Sequence, residues 1–220
     1  MKRRALTEKE AVTRQAKRFL RDEDGAFLVE FVFALLFFLL LLLAVVDFSR
    51  LAFHNVASNR AMHVAARLAA VRPPVCAGVP AFIQRAPVAP GTIPPRFGTR
   101  CNAGGSICLD PGTVTCSGTA ANTTSSEIWG LVEGTLPNGS TPANLRFSYA
   151  YDDAIGFLGG PYSPLVTVEL QNVEFDFISP LGALIGLTGG VAGSGIGAKL
   201  PLATMSVTMP GEDLAHGGGS

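Results

Sequence analysis

The side chains able to do chemistry in this sequence fall into a few groups. One carboxylate, Glu30, lies inside the apolar run Ala26–Val46. A lone carboxylate near a bilayer's centre costs ~2.5–3.5 kcal/mol on insertion scales, and less near the start of a span, where water and headgroups are close. Glu30 therefore reads either as the edge of the membrane or as a group that a partner charge compensates. The second reading uses the junction just before it. A cut between Gly25 and Ala26 turns Ala26 into an exposed ammonium and makes Glu30 the fifth residue of the mature chain. As helices pack in a filament, that carboxylate can pair with the terminal ammonium of a neighbouring subunit. Such a pair compensates both charges in a dry place and fixes the axial register of the neighbours.

The other groups are weaker candidates. Cys76, Cys101, Cys108 and Cys116 form no C-x-x-C pair, and His54, His63 and His216 are remote from them in sequence, so no metal site is expected. On an oxidising side of a membrane these cysteines form disulfides, and sequence leaves all three pairings open. Asp152, Asp153, Glu169, Glu174 and Asp176 lack EF-hand spacing, and Glu174 and Asp176 fall on the polar face of an alternating strand. No G-x-S-x-G frames a serine, and Gly193–Gly197 is not set between strand and helix as a phosphate loop requires. Asn122-Thr123-Thr124 and Asn138-Gly139-Ser140 are glycosylation acceptors by pattern only. No catalytic residue, metal or cofactor is expected.

Charge is sorted along the chain although its total is zero. Before residue 22 there are eight basic residues and two acids; from Val75 onward there are five basic residues and ten acids. A basic head before an apolar run reads as a cytoplasmic N-terminus. Nucleic-acid binding would need basic residues on the folded body, and that class is set aside. Ala26–Val46 meets the ~20 residues a span needs. It is longer than a secretory h-region, and Asp47-Phe48-Ser49-Arg50 after it offers no small-x-small cleavage site.

The elements that position these groups follow from periodicity. Residues 1–25 are a solvated basic leader, 26–46 a transmembrane helix, and 47–73 its exported amphipathic continuation, ended by Pro73-Pro74. One helix from Ala26 to Arg72 would be roughly 70 Å long. Phe53, Ala57, Ala61, Val64, Leu68 and Val71 recur at spacings of three and four and predict the buried face. Residues 74–143 are rich in Pro and Gly, hold all the cysteines, and allow a short helix near Ser126–Val132. Residues 144–215 are expected to be β-rich, with strands in Asn144–Tyr151, Pro164–Phe177 and Lys199–Met209 covered by the exported half of the helix. Ser179–Ala198 is expected to be a loop with one short helix near Leu181–Leu187, and 216–220 a disordered tail. The fold class is α+β: a long N-terminal transmembrane and amphipathic helix, then a small disulfide-stapled, pilin-like β domain.

The string Asp22-Glu23-Asp24-Gly25-Ala26-Phe27-Leu28-Val29-Glu30-Phe31 resembles a prepilin-peptidase processing site. With Asp47-Phe48-Ser49-Arg50, standing where the family has Glu-Phe-Gly-Arg, and Ala65-Ala66-Arg67, residues 20–72 resemble the TadE-like minor pilins, or pseudopilins, of the tight-adherence (Tad) pilus. That family often has a proline in the early span, near the place of Leu36. The resemblance implies a non-enzymatic, single-pass protein of a bacterial inner membrane, with its C-terminal domain periplasmic or in the pilus. It implies processing at Gly25-Ala26, assembly through Glu30 and Phe31, and Asp47, Phe48, Ser49 and Arg50 as the exit motif. The implied partners are a prepilin peptidase, other Tad pilins and pseudopilins, the inner-membrane assembly platform and membrane lipid. The implied roles are pilus assembly, adhesion and biofilm formation, and the large exported domain fits a minor component, since major Tad pilins are very short. Three rivals stand beside it: an unprocessed membrane-anchored adhesin or binding protein, a type II secretion pseudopilin, and an exported thiol-redox enzyme.

Overall fold

A computed structural model describes residues 24–178, 199–212 and 214. Residues 1–23 of the expected leader, the expected loop over 179–198 with its helix near Leu181–Leu187 and its Gly193–Gly197 run, and the expected tail lie outside the described residues. The architecture is α+β: a long N-terminal apolar helix, then a small β domain closed by two disulfides.

Helix α1 runs Asp24–Val71, 48 residues, starting two residues before Ala26 and ending just ahead of Pro73-Pro74. The chain divides into two compact units, Met1–Asp47 and Phe48–Ser220, so the helix supplies one and opens the other. In the first unit every large apolar side chain from Phe27 to Val46 except Leu40 is exposed. That is the surface expected of a segment dissolved in hydrocarbon.

In the second unit the strands are short: β1 (Val114–Ser117), β2 (Leu145–Ala150), β3 (Leu165–Leu170), β4 (Glu174–Asp176), β5 (Lys199–Pro201) and β6 (Met205–Pro210). Helix α2 spans Thr123–Val132. A four-stranded antiparallel sheet has the order β1-β2-β3-β6, and β4 and β5 form a separate pair. The register sets Phe147 opposite Val168 and Val168 opposite Val207. Leu145, Phe147 and Tyr149 on β2, with Val166, Val168 and Leu170 on β3, all point into the core by the two-residue period. The expected strands Pro164–Phe177 and Lys199–Met209 are each two strands in different sheets. Asn172, with φ of 55°, breaks the first. Asn144 holds that bend, donating from Nδ2 to the carbonyls of Gln171 (3.0 Å) and Asn172 (2.9 Å).

The half of α1 beyond Asp47 contributes to the core, on a face different from the predicted one. The buried residues are Ser58, Ala61, Met62, Ala65, Ala66, Ala69 and Ala70, and all but Ser58 and Ala70 belong to the cluster that holds Leu145, Phe147, Tyr149, Val166, Val168 and Ile128. Of the predicted stripe, Phe53, Val64 and Val71 are exposed and only Ala61 is buried. The buried face is rotated by more than a third of a turn, about 130° at 100° per residue. Bulk misled the periodicity: large side chains were read as core, whereas short alanine side chains bring the helix axis close to the sheet.

Cys76–Cys116 pins the chain after α1 to β1, and both cysteines lie in or against the main core. Cys101–Cys108 staples a second cluster with Ile83, Ile107, Leu158 and Tyr162. There, Ile83 N–H donates to Gly160 O (2.9 Å) and Leu158 N–H to Thr99 O (2.8 Å). Loop-closure entropy gives roughly 4 kcal/mol for the longer loop and roughly 2.5 for the shorter.

Two outcomes follow. Ala65→Leu destabilises the β domain by about 1–3 kcal/mol through overpacking, whereas Val64→Ala next to it stays within about 0.5 kcal/mol; denaturant unfolding of the solubilised chain, read by near-ultraviolet circular dichroism, compares them. Burial, with the charge of Asp110 second, pushes the Tyr162 phenol up from 10.0 to about 12. A raised phenol is neutral in the fold where the unfolded chain already ionises, so its contribution is complete below pH 10 and is lost as pH rises towards 12. Phenolate absorbance against pH shows a late-titrating tyrosine, and Tyr162→Phe removes that phase.

Candidate functional site

Helix α1 positions the N-terminal candidates. Gly25 is exposed, and a Cβ added to it meets no atom within 4 Å. It lies in the first turn of α1, with Glu30 and Phe31 about one turn beyond Ala26. Glu30 is exposed, as is Phe31 at 56 %. It is the only acid between Gly25 and Val46, where one 18-residue stretch of α1 reaches a mean hydropathy of 3.0. In lipid, the surface around this carboxylate offers it nothing polar from the neighbouring side chains Phe27, Phe31, Phe33 or Ala34. Any group that compensates it on that surface has to come from another molecule or from the membrane–water boundary.

The exit motif has a structural role that sequence did not specify. Phe48 meets Phe177 edge-on, with ring centroids 6.3 Å apart. The Arg50 guanidinium lies 5.3 Å from the centroid of Phe175. Phe175 and Phe177 are themselves T-shaped at 5.4 Å, and His54 sits 5.7 Å from Phe175 while its Nδ1 approaches Thr135 O at 3.4 Å. Phe48, Arg50 and His54 thus form a clasp on β4, the strand that is not part of the larger sheet. Cation–π and aromatic contacts of this kind contribute ~0.5–1.5 kcal/mol each beyond area burial. Asp47 is buried, at 1 % exposure, and Ser49 is exposed. Sequence placed Phe175 and Phe177 inside by alternation, and both are buried, with Glu174 and Asp176 exposed. The signal it lacked was which element they would meet.

The remaining candidates stay apart from one another. Lys199 pairs with Glu174 at 3.1 Å and stands 4.0 Å from Asp176, both on exposed side chains, so this acidic pair is a solvated strand face of small energetic weight. Asn122 is a helix cap: its Oδ1 accepts from Ser125 N–H at 2.9 Å and opens α2. His63 is exposed on α1, and His216 lies outside the described residues. All four cysteines are in disulfides, and no cluster of three metal-ligating side chains occurs among the described residues. The pairing that sequence left open is Cys76–Cys116 and Cys101–Cys108.

The comparison that decides between families falls on the same helix. Residues 25–67 match the family model of TadE-like protein. The match runs from Gly25 through Glu30 and the exit motif to Arg67, and so bears out the resemblance read from those residues. The match spans 43 of the 220 residues, all on α1, and there likens the chain to Tad pilus-associated proteins with an N-terminal membrane helix. Neither a curated protein nor a solved structure matches the chain. One helix of α1's length and apolarity is compatible with single-pass anchoring.

The clasp is testable. Phe175→Ala removes a side chain that is 1 % exposed, a change that costs ~3–5 kcal/mol in a packed core. Because the clasp serves β4 and β5 alone, amide exchange speeds at Phe175 and Leu200 while protection at Phe147 and Val168 persists.

Proposed function

We propose that the protein is a minor pilin or pseudopilin, held in a bacterial inner membrane by α1 and cut by a prepilin peptidase between Gly25 and Ala26. Its exported domain then takes part in assembling a Tad pilus, and through it in adhesion and biofilm formation. The observation that carries the reading is Glu30: a single carboxylate on the exposed surface of an apolar helix, at the fifth place after the junction, inside the segment that matches the TadE-like family. In hydrocarbon that carboxylate is tolerable near the membrane edge, and it becomes useful when the ammonium of Ala26 on an adjoining subunit meets it. Ionic pairing at one height on each helix fixes axial register, which apolar surfaces alone leave free.

The basic leader favours an N-terminus retained in the cytoplasm, and the two disulfides favour an oxidising compartment for the rest. The thiol-redox alternative is disfavoured by cysteines in separate clusters, with Cys76 and Cys101 both only 4 % exposed. An unprocessed adhesin would leave Glu30 without a function that requires its position.

Glu30→Ala tests the pairing. The variant inserts normally and is trimmed normally, while piliation of the host, counted by electron microscopy and by crystal-violet biofilm assay, falls at least about tenfold, the equivalent of one buried ion pair. Wild-type piliation by Glu30→Ala refutes the role assigned to this carboxylate.

A further inference from the structure

The stripe Phe53, Val56, Val64 and Val71 on the exported half of α1 is apolar, exposed and not used by the core. Phe53, Val56 and Val64, with Leu131 of α2, which is 59 % exposed, border a groove of about 350 Å³ also lined by Ala57 and Ala61. Small residues between larger ones along a helix leave room for another helix to approach, and anchors at i, i+3 and i+11 are what a helix in a groove reads. The groove lies wholly within the unit Phe48–Ser220.

Charge selects the occupant. From Phe48 to Leu109 the chain holds seven arginines and no acid. Of the three on α1 and Arg72 just beyond it, two are engaged: Arg72 pairs with Glu127 at 2.8 Å, and Arg50 lies on Phe175. Arg60, which lines the groove, and Arg67, two turns further on, are exposed and make no ion pair among the described residues. The exported helix of a second copy would bring three more arginines and no carboxylate against them, which is repulsive. The complementary surface is a helix with an apolar ridge and an Asp or Glu facing Arg60 or Arg67.

We infer that this groove docks an acid-bearing amphipathic helix of a different pilus-associated chain, so that the exported half of α1 is a heterotypic interface. The inference rests on the pilus reading and deepens it by naming the kind of partner. Docking covers Phe53, Val64 and Leu131 and supplies counter-charges to Arg60 and Arg67.

The test uses the full chain in its native host, with benzoylphenylalanine in place of Val64 for photo-crosslinking and, separately, in place of Leu36 within the span. Adducts are mapped to the residue by mass spectrometry. The expected adduct at 64 is a helix of a different chain, within one turn of an Asp or Glu. Arg60→Glu with Arg67→Glu lowers its yield at least about tenfold, and changing the mapped acid to Lys restores it. An adduct with a second copy, an adduct unaffected by the charge reversal, or no protein adduct at 64 overturns the inference. If 64 fails while 36 still crosslinks to pilus proteins, the groove assignment fails and the pilus reading stands; if both positions fail, the pilus reading fails with it.

Discussion

One helix has to be soluble in two solvents, and most of the structure follows from that constraint. Over Phe27–Val46 the exposed surface is apolar on every side apart from Glu30, which is what lipid around a lone span requires. Past Asp47 the same helix meets a sheet on one side only. The side that meets the sheet is built from alanine, so that β2 and β3 can approach the backbone closely. The larger side chains are displaced to other faces. The continuous hydrogen-bonded ladder of α1 makes the anchor and the cover of the β domain a single element.

The β domain is organised around that cover. Its four-stranded sheet is short, and its core would be marginal for a domain with so many irregular segments. Two devices compensate. Cys76–Cys116 ties the chain just after α1 to β1, and Glu212 N–H donates to Ala70 O in the helix's last turn at 2.7 Å, so the first and last strands of the sheet are fastened at or near the end of α1. The exit motif fastens the small β4–β5 pair by aromatic and cation–π contact. Phe48 and Arg50 thereby fix the first strand pair the helix meets after Asp47.

Much of this was legible in the residues. The span, the helix stop at Pro73-Pro74, the short helix, the alternation at Val173, Phe175 and Phe177 and the α+β class all follow from local pattern. The core face of α1 was not legible, because periodicity weighs bulk and the true face is Ala61, Ala65, Ala66 and Ala69. The splitting of two predicted strands was hidden as well. Asn172 is a polar residue in an otherwise β-like run, and only the tertiary bonds from Asn144 make it a corner. The disulfide pairing depends on which distant segments meet, which four cysteines in a Pro/Gly-rich region do not encode locally.

The function argued here depends on a new amine being created beside a carboxylate that hydrocarbon would otherwise penalise. N-terminal sequencing of the membrane-extracted protein from its native host asks this most directly. The account predicts a chain that begins at Ala26, with Glu30 as its fifth residue. A chain that still carries residues 1–25 contradicts it, because the ammonium meant to meet Glu30 would not exist.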